Sequence, residues 1–322
     1  MRLSLLTGAV FFLLSSTLFL SSWGFFAHKR INYQAVFSLP PEMLQFYKQS
    51  SLFLTEHAVD PDKRRYIVPE EAARHYIDLD HYPEIKQRQR SFSYYEATSL
   101  YSEDSLKRHG TVPWTILLNM KKLEQAFLEK DKDRILKYSA DLGHYIGDAH
   151  VPLHTTSNYN GQLTNQHGIH GLWESRLPEL YYDHYPLWVG KAQYMSSPSD
   201  SVWKCIFESH ALVDKVLQEE RAVSMQISER KKYAIEHRNG MPVKTYSTLF
   251  CKRYNERMDR MVEERLRKAI KFTADCWYTC WVNAGKPTLP LGKSKKEKEK
   301  EKEKEKEKEK DEARSVEENC VH

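Results

Sequence analysis

Residues 143–154 read Gly143-His144-Tyr145-Ile146-Gly147-Asp148-Ala149-His150-Val151-Pro152-Leu153-His154. His144 and Asp148 stand four apart, so a helix stacks them on one face, where both can reach a single ion. Ala140, Gly143 and Gly147 lie on or beside that face. Small residues there let an ion and a second helix approach the backbone, at a helix-propensity cost of about 1 kcal/mol per Gly. Easier helix packing alone is the other reading of the two glycines. Pro152 ends the helix, and His154 falls on the rigid turn that follows.

Outward from this stretch the chain is dominated by helical periodicity. Pro41 to His57 reads as one amphipathic helix, with Met43, Leu44, Phe46, Tyr47, Leu52 and Leu54 at spacings of three and four. Trp114 to Gly147 supplies one or two more, and Ser201 to Gln226 and Tyr246 to Asn283 complete the set. We find no strand alternation and no repeat of solenoid length. The expected fold class is all-α, a single multi-helix domain. With 19 Tyr, 13 Phe and 7 Trp the chain has the material for a sizeable core.

The two ends differ in composition from the body. Met1-Arg2 followed by the apolar run from Leu3 to Leu20 has the layout of a secretory signal, which predicts a leader over 1–22 and a secreted or periplasmic protein. If the leader is not cleaved, a run of this length predicts a membrane anchor. From Lys293 the chain is a near-perfect Lys-Glu alternation, which cannot bury apolar surface, so a disordered tail is expected over 291–322 and a folded unit over 23–290. The net charge of +5 is too mild to argue for duplex DNA binding. Cys205, Cys251, Cys276, Cys280 and Cys320 show no CxxC spacing, which excludes a zinc ribbon. Export predicts one or two disulfides among them, although Cys276 and Cys280, four apart in a helix, read as packed side chains.

Further potential ligands punctuate the body: His28, Asp60, His75, and the pair His170 and Glu174, which repeats the four-residue spacing. Imidazoles combined with carboxylates suit Zn²⁺ best among common ions and need no Cys. Trp23 sits just beyond the leader, and cleavage after Ser22 would give it a free α-amine that can chelate with its own carbonyl oxygen.

From Trp23 to about Glu174 the sequence resembles the superfamily that unites zinc-dependent phospholipases C with single-strand-specific zinc nucleases. That resemblance implies a trinuclear zinc cleft. Asp60, His75, His144 and Asp148 would hold the first zinc. His154, His170 and Glu174 would hold the second. Trp23 and His28, with a bridging Asp148, would hold the third. The resemblance also implies catalytic roles for Asp60 and for Lys63, which stands with Arg64 and Arg65 where the nucleases have an Arg that neutralises transition-state charge. His75 is followed by Tyr76-Ile77-Asp78, which resembles the segment where the nucleases stack a base on an aromatic ring and hydrogen-bond it with an Asp. Glu174 as last ligand and the short interval from His154 to His170 resemble the phospholipases instead. The expected activity is phosphate ester hydrolysis on single-stranded nucleic acid or nucleotides, with phospholipid head groups as the alternative substrate and an inactive zinc-scaffolded binder as a third reading. No protein partner is implied.

Overall fold

The structure is a computed structural model that describes residues 25–292 apart from position 239. The segment expected to be a leader, Trp23 and the Lys-Glu tail lie outside the described residues. Helices dominate what is described, as the periodicity predicts.

Two long antiparallel helices, Val112–Leu128 and Lys132–Ala149, form the centre. The chain turns between them over three residues, with Lys130 at φ 52° and the Asp131 carboxylate accepting from the amide of Arg134 to cap the second helix. The amino-terminal helix Phe25–Ala35 and the carboxy-terminal helix Met261–Asn283 both pack on this pair. Ile31, Phe46, Tyr47, Leu123, Phe127, Leu142, Ile146, Ile270 and Trp277 fill the main core. Tyr47 stacks on Trp277 and shares a 2.9 Å hydrogen bond with Ser139 Oγ, so its hydroxyl is satisfied in the apolar interior. A second cluster, including Leu153, Ile169, Leu172, Trp173, Val216, Phe250 and Tyr254, lies under the loop from 151 to 181 and the helices Val213–Gln226 and Thr248–Met258.

Three features depart from the periodicity, and a fourth from the expected cysteine chemistry. The segment from Pro41 divides at Ser50 into Pro41–Gln49 and Ser51–Glu56, and Leu52 points to solvent at 74 % exposure instead of joining the stripe. Breaks after His210 and at Asp259-Arg260, both left-handed, split the later stretches into pairs of helices. Strands Tyr233–Arg238 and Met241–Tyr246 pair antiparallel, which corrects the expectation of no strands. The Asn-Gly pair at 239–240 is the hairpin signal, and Gly240 takes the positive φ of 77° that such a turn demands. Finally, Cys205, Cys251, Cys276 and Cys280 are all buried free thiols, so the expected disulfides are not formed among the described residues.

Candidate metal centre

Helix Lys132–Ala149 buries His144, Asp148, Gly143 and Gly147 on one side. The glycines are seats for a neighbouring helix. A Cβ at Gly143 would lie 1.7 Å from Oδ1 of Asn32, whose amide donates to the Ala140 and Leu54 carbonyls. A Cβ at Gly147 would collide with the imidazole of His28. Close packing and access to the ligand face are therefore one requirement here. His154 lies on the 3₁₀ turn Pro152–Thr155 that follows the helix, as Pro152 implies. His170 is the middle residue of the single α-turn Ile169–Gly171, and Glu174 sits in the wider π-helical turn Leu172–Arg176 that continues it. A π-turn inserted in a helix is a frequent mark of a functional site.

Three groups of side chains converge closely enough to hold metal ions: Asp62, His75 and His144; His28, His144 and Asp148; and His154, His170 and Glu174. Asp148 stands in the middle. Its Oδ2 is 2.9 Å from His75 Nδ1 and 3.3 Å from His144 Nε2, while its Oδ1 is 3.3 Å from His28 Nε2 and 3.8 Å from His154 Nε2. Glu174 joins the other two groups, with Oε2 2.6 Å from His170 Nε2 and 3.4 Å from His154 Nε2, and Oε1 3.3 Å from His28 Nε2.

These separations suit a bound ion. Ligand bonds of about 2.0–2.1 Å in a tetrahedron place neighbouring donor atoms roughly 3.3 Å apart. His75 Nδ1 and His144 Nε2, only 3.0 Å apart, both carry a lone pair in their metal-binding tautomers, so a cation or a proton has to lie between them. The electrostatics agree. Burial opposes charge on His28 and His154, yet the carboxylates of Asp148 and Glu174 raise them to about 10 and about 9. Burial together with the neighbouring His28 drives His144 well below the ordinary histidine range. Burial also works against ionisation of Asp148, but the surrounding imidazoles hold it far below the usual carboxylate range. The site is built to be neutralised by positive charge.

The ligand segments are also tied to one another. His154 Nδ1 lies 2.7 Å from the His75 carbonyl, and the Ile77 amide donates back to the His154 carbonyl at 2.9 Å.

Asp60 does not join the centre, which corrects one expected ligand. Its carboxylate pairs with His57 Nδ1 at 2.5 Å and Lys63 Nζ at 3.2 Å, whereas Asp62 Oδ1 reaches to 3.8 Å from His75 and 3.9 Å from His144. Residues two apart on a helix face away from each other, so only one of the two acids in Asp60-Pro61-Asp62 can look inward. The Asp-Pro-Asp doublet was the signal that either could serve. Lys63 is correspondingly an exposed partner of Asp60 and stays out of the cleft. Arg64 is engaged with Asp141, Glu71 and Tyr145. Arg65 is the cation of this run that lines the cleft, 3.3 Å from Asp62. Trp23, expected to complete the third group, lies outside the described residues.

The centre opens into a cleft of about 600 Å³ lined by Arg65, Tyr66, Tyr76, Asp78, Tyr159 and Asn160 among others. Tyr76 and Asp78 are both on its wall. The Tyr76 hydroxyl donates to the Arg108 carbonyl at 3.0 Å, which fixes the ring. Asp78 donates its amide to the His109 carbonyl, and burial with the nearby Asp80 pushes its carboxyl up to about 7.

No protein-family model matches the chain, and no curated protein is similar enough to it to count as a relative.

Proposed function

We propose that this chain is a zinc-dependent phosphoric ester hydrolase acting on single-stranded nucleic acid or nucleotides. The observation that carries the reading is the convergence of five imidazoles and three carboxylates in one cluster, of which Asp62, His75, His154, His170 and Glu174 line a cleft whose wall also bears Arg65, Tyr76 and Asp78. Histidine nitrogens with carboxylate oxygens and no thiolate make a donor set for zinc. His75, His144, Asp62 and Asp148 would hold one ion, and His154, His170 and Glu174 a second. His28 with Asp148 would hold a third, completed by the amine and carbonyl of Trp23 if that residue is the mature amino terminus. Zinc bound there supplies Lewis-acid activation of water and of the phosphoryl oxygen.

The chain's own groups do the rest. Arg65 presents a planar fork at the mouth that matches two phosphate oxygens, a geometry Lys cannot offer. Tyr76 offers a ring face, and stacking of a base on such a face is worth about 1–3 kcal/mol. Asp78, poised near neutrality, can accept from or donate to the edge of that base.

Tyr66 and Ile67, 87 % and 83 % exposed beside the mouth, favour a second reading in which the cleft meets a lipid surface and takes phospholipid head groups.

A side-by-side assay of the purified zinc-loaded protein on single-stranded oligonucleotides, 3′-nucleotides and phosphatidylcholine vesicles separates the two. Hydrolysis of the nucleotide substrates, with Tyr76→Ala raising KM and leaving the zinc content unchanged, is the expected outcome. Activity on vesicles alone, with Tyr76→Ala neutral, moves the assignment to phospholipase C. Activity on none of them with all zincs bound would leave an inactive scaffold.

A further inference from the structure

In each of His144, His154 and His170 the nitrogen facing the centre is Nε2, and Nδ1 is directed to a backbone carbonyl: Ala58 at 2.9 Å, His75 at 2.7 Å and Tyr159 at 3.2 Å. Each carbonyl can accept only from an N–H, so it fixes the tautomer that leaves the Nε2 lone pair free. His75 is reversed. Its Nδ1 faces Asp148, His144 and Asp62, and its Nε2 is a buried atom without a hydrogen-bond partner. The carboxylate that Nε2 faces belongs to Glu71, one turn earlier on the 3₁₀ segment Pro69–His75, with Oε1 3.9 Å away.

Glu71 is fully buried and no part of the expected ligand set. Its carboxylate accepts from the Tyr145 hydroxyl, from Arg64 Nη2 at 3.5 Å and from Arg74 Nη1 at 2.7 Å. Those two guanidiniums balance its charge inside the protein, and Arg64 continues to Asp141, one turn before Tyr145 on the ligand helix. Burying a carboxylate carries a desolvation cost that only pairing offsets, so its ion pairs with two cations are what let it persist beside the centre.

We propose that Glu71 is a positioning residue for the metal centre: its carboxylate, 3.9 Å from His75 Nε2 and so acting by charge across a gap longer than a hydrogen bond, favours the tautomer with the proton on Nε2 and leaves the Nδ1 lone pair of that ring for the ion. The proposal rests on the metal-centre reading and concerns how one ligand is set. Outer-shell carboxylates of this kind typically contribute about 10–100-fold to metal affinity.

Two measurements test it on the full chain. In the zinc-loaded wild type, long-range ¹⁵N–¹H correlation spectra of the imidazoles, with His75 assigned by its substitution, should show His75 alone among the ligand histidines protonated at Nε2. Competitive chelator titration with zinc should show that Glu71→Gln weakens one zinc by about 10–100-fold while the other affinities change less than twofold, and that Tyr145→Phe, which removes a different partner of Glu71, leaves all of them within twofold. A zinc-loaded wild type in which His75 carries its proton on Nδ1 overturns the inference even if Glu71→Gln does not fold. So does a folded Glu71→Gln with unchanged zinc affinities. Wild-type protein that binds no zinc overturns the metal-centre reading itself.

Discussion

The Cβ position of Gly147 lies 2.7 Å from Nδ1 of His28, so the helix that carries Asp148 and the helix that carries His28 meet with no room for a methyl group. On helix propensity alone Gly147→Ala should stabilise the protein by about 1 kcal/mol. The contact reverses that sign. Gly147→Ala is expected to lower Tm and to remove close to one equivalent of zinc by pushing His28 away from Asp148 and Glu174. Metal analysis paired with a thermal melt checks it; higher Tm with full metal content would contradict the packing.

Asp62 and Asp60 should separate cleanly. Asp62→Asn is expected to weaken zinc binding at the group it shares with His75 and His144. Asp60→Asn should leave the zinc content unchanged and cost no more than about 1 kcal/mol, the usual worth of exposed ion pairs such as those it makes with Lys63 and His57. Zinc stoichiometry of the two variants is the deciding measurement.

Arg65→Ala should lower kcat/KM by about tenfold to a hundredfold, the loss expected for one hydrogen-bonded charge on phosphate at roughly 1.5–3 kcal/mol. Lys63→Ala should have little effect, because its ammonium is spent on Asp60 outside the cleft. Steady-state kinetics on a phosphodiester substrate compares them, and equal losses would return Lys63 to the cleft.

The raised imidazoles set a pH signature that metal removal should expose. Without ions, His28 at about 10 and His154 at about 9 are protonated at neutral pH and pair with Asp148 and Glu174. Both folded values lie above the unfolded value of about 6.5, so this stabilisation is complete below about 6.5 and is lost as pH rises through 9 and 10. The chelated protein should therefore lose Tm from neutral to alkaline pH. On the proposed reading zinc would displace those protons, so the loaded protein should be flatter over the same range, and its zinc affinity should fall as pH drops. Melts of both forms from pH 6 to 10 test the pair of slopes.

The sequence carried the ligand helix well, because four-residue spacing and a terminating Pro are local signals. His144, Asp148 and His154 fall where that reasoning puts them. Asp60 failed for a reason that is also local: an Asp-Pro-Asp doublet offers two acids on opposite sides of a short helix, and only tertiary packing selects one. Glu71 was invisible since a lone Glu among helical charges looks like solvated surface. Its burial depends on Arg64 and Tyr145 arriving from elsewhere in the chain. The hairpin at 233–246 is faint in the sequence in spite of its Asn-Gly turn, since its strands alternate weakly and one face is polar, with Glu236 and Arg238 engaged by Arg176 and Glu179.

The segments that carry His75 and His154 are bonded twice, the His154 imidazole donating to the His75 carbonyl and the Ile77 amide donating to the His154 carbonyl. His75 falls in one candidate ion group and His154 in another, so the His154 ring cannot swing away without pulling on the backbone that carries His75. Loading should accordingly be cooperative: the first ion prepays the ordering of both strands of backbone, and the next finds its ligands already in place. Stripping the protein with chelator would then proceed as a joint release, with partly loaded species scarce along the way.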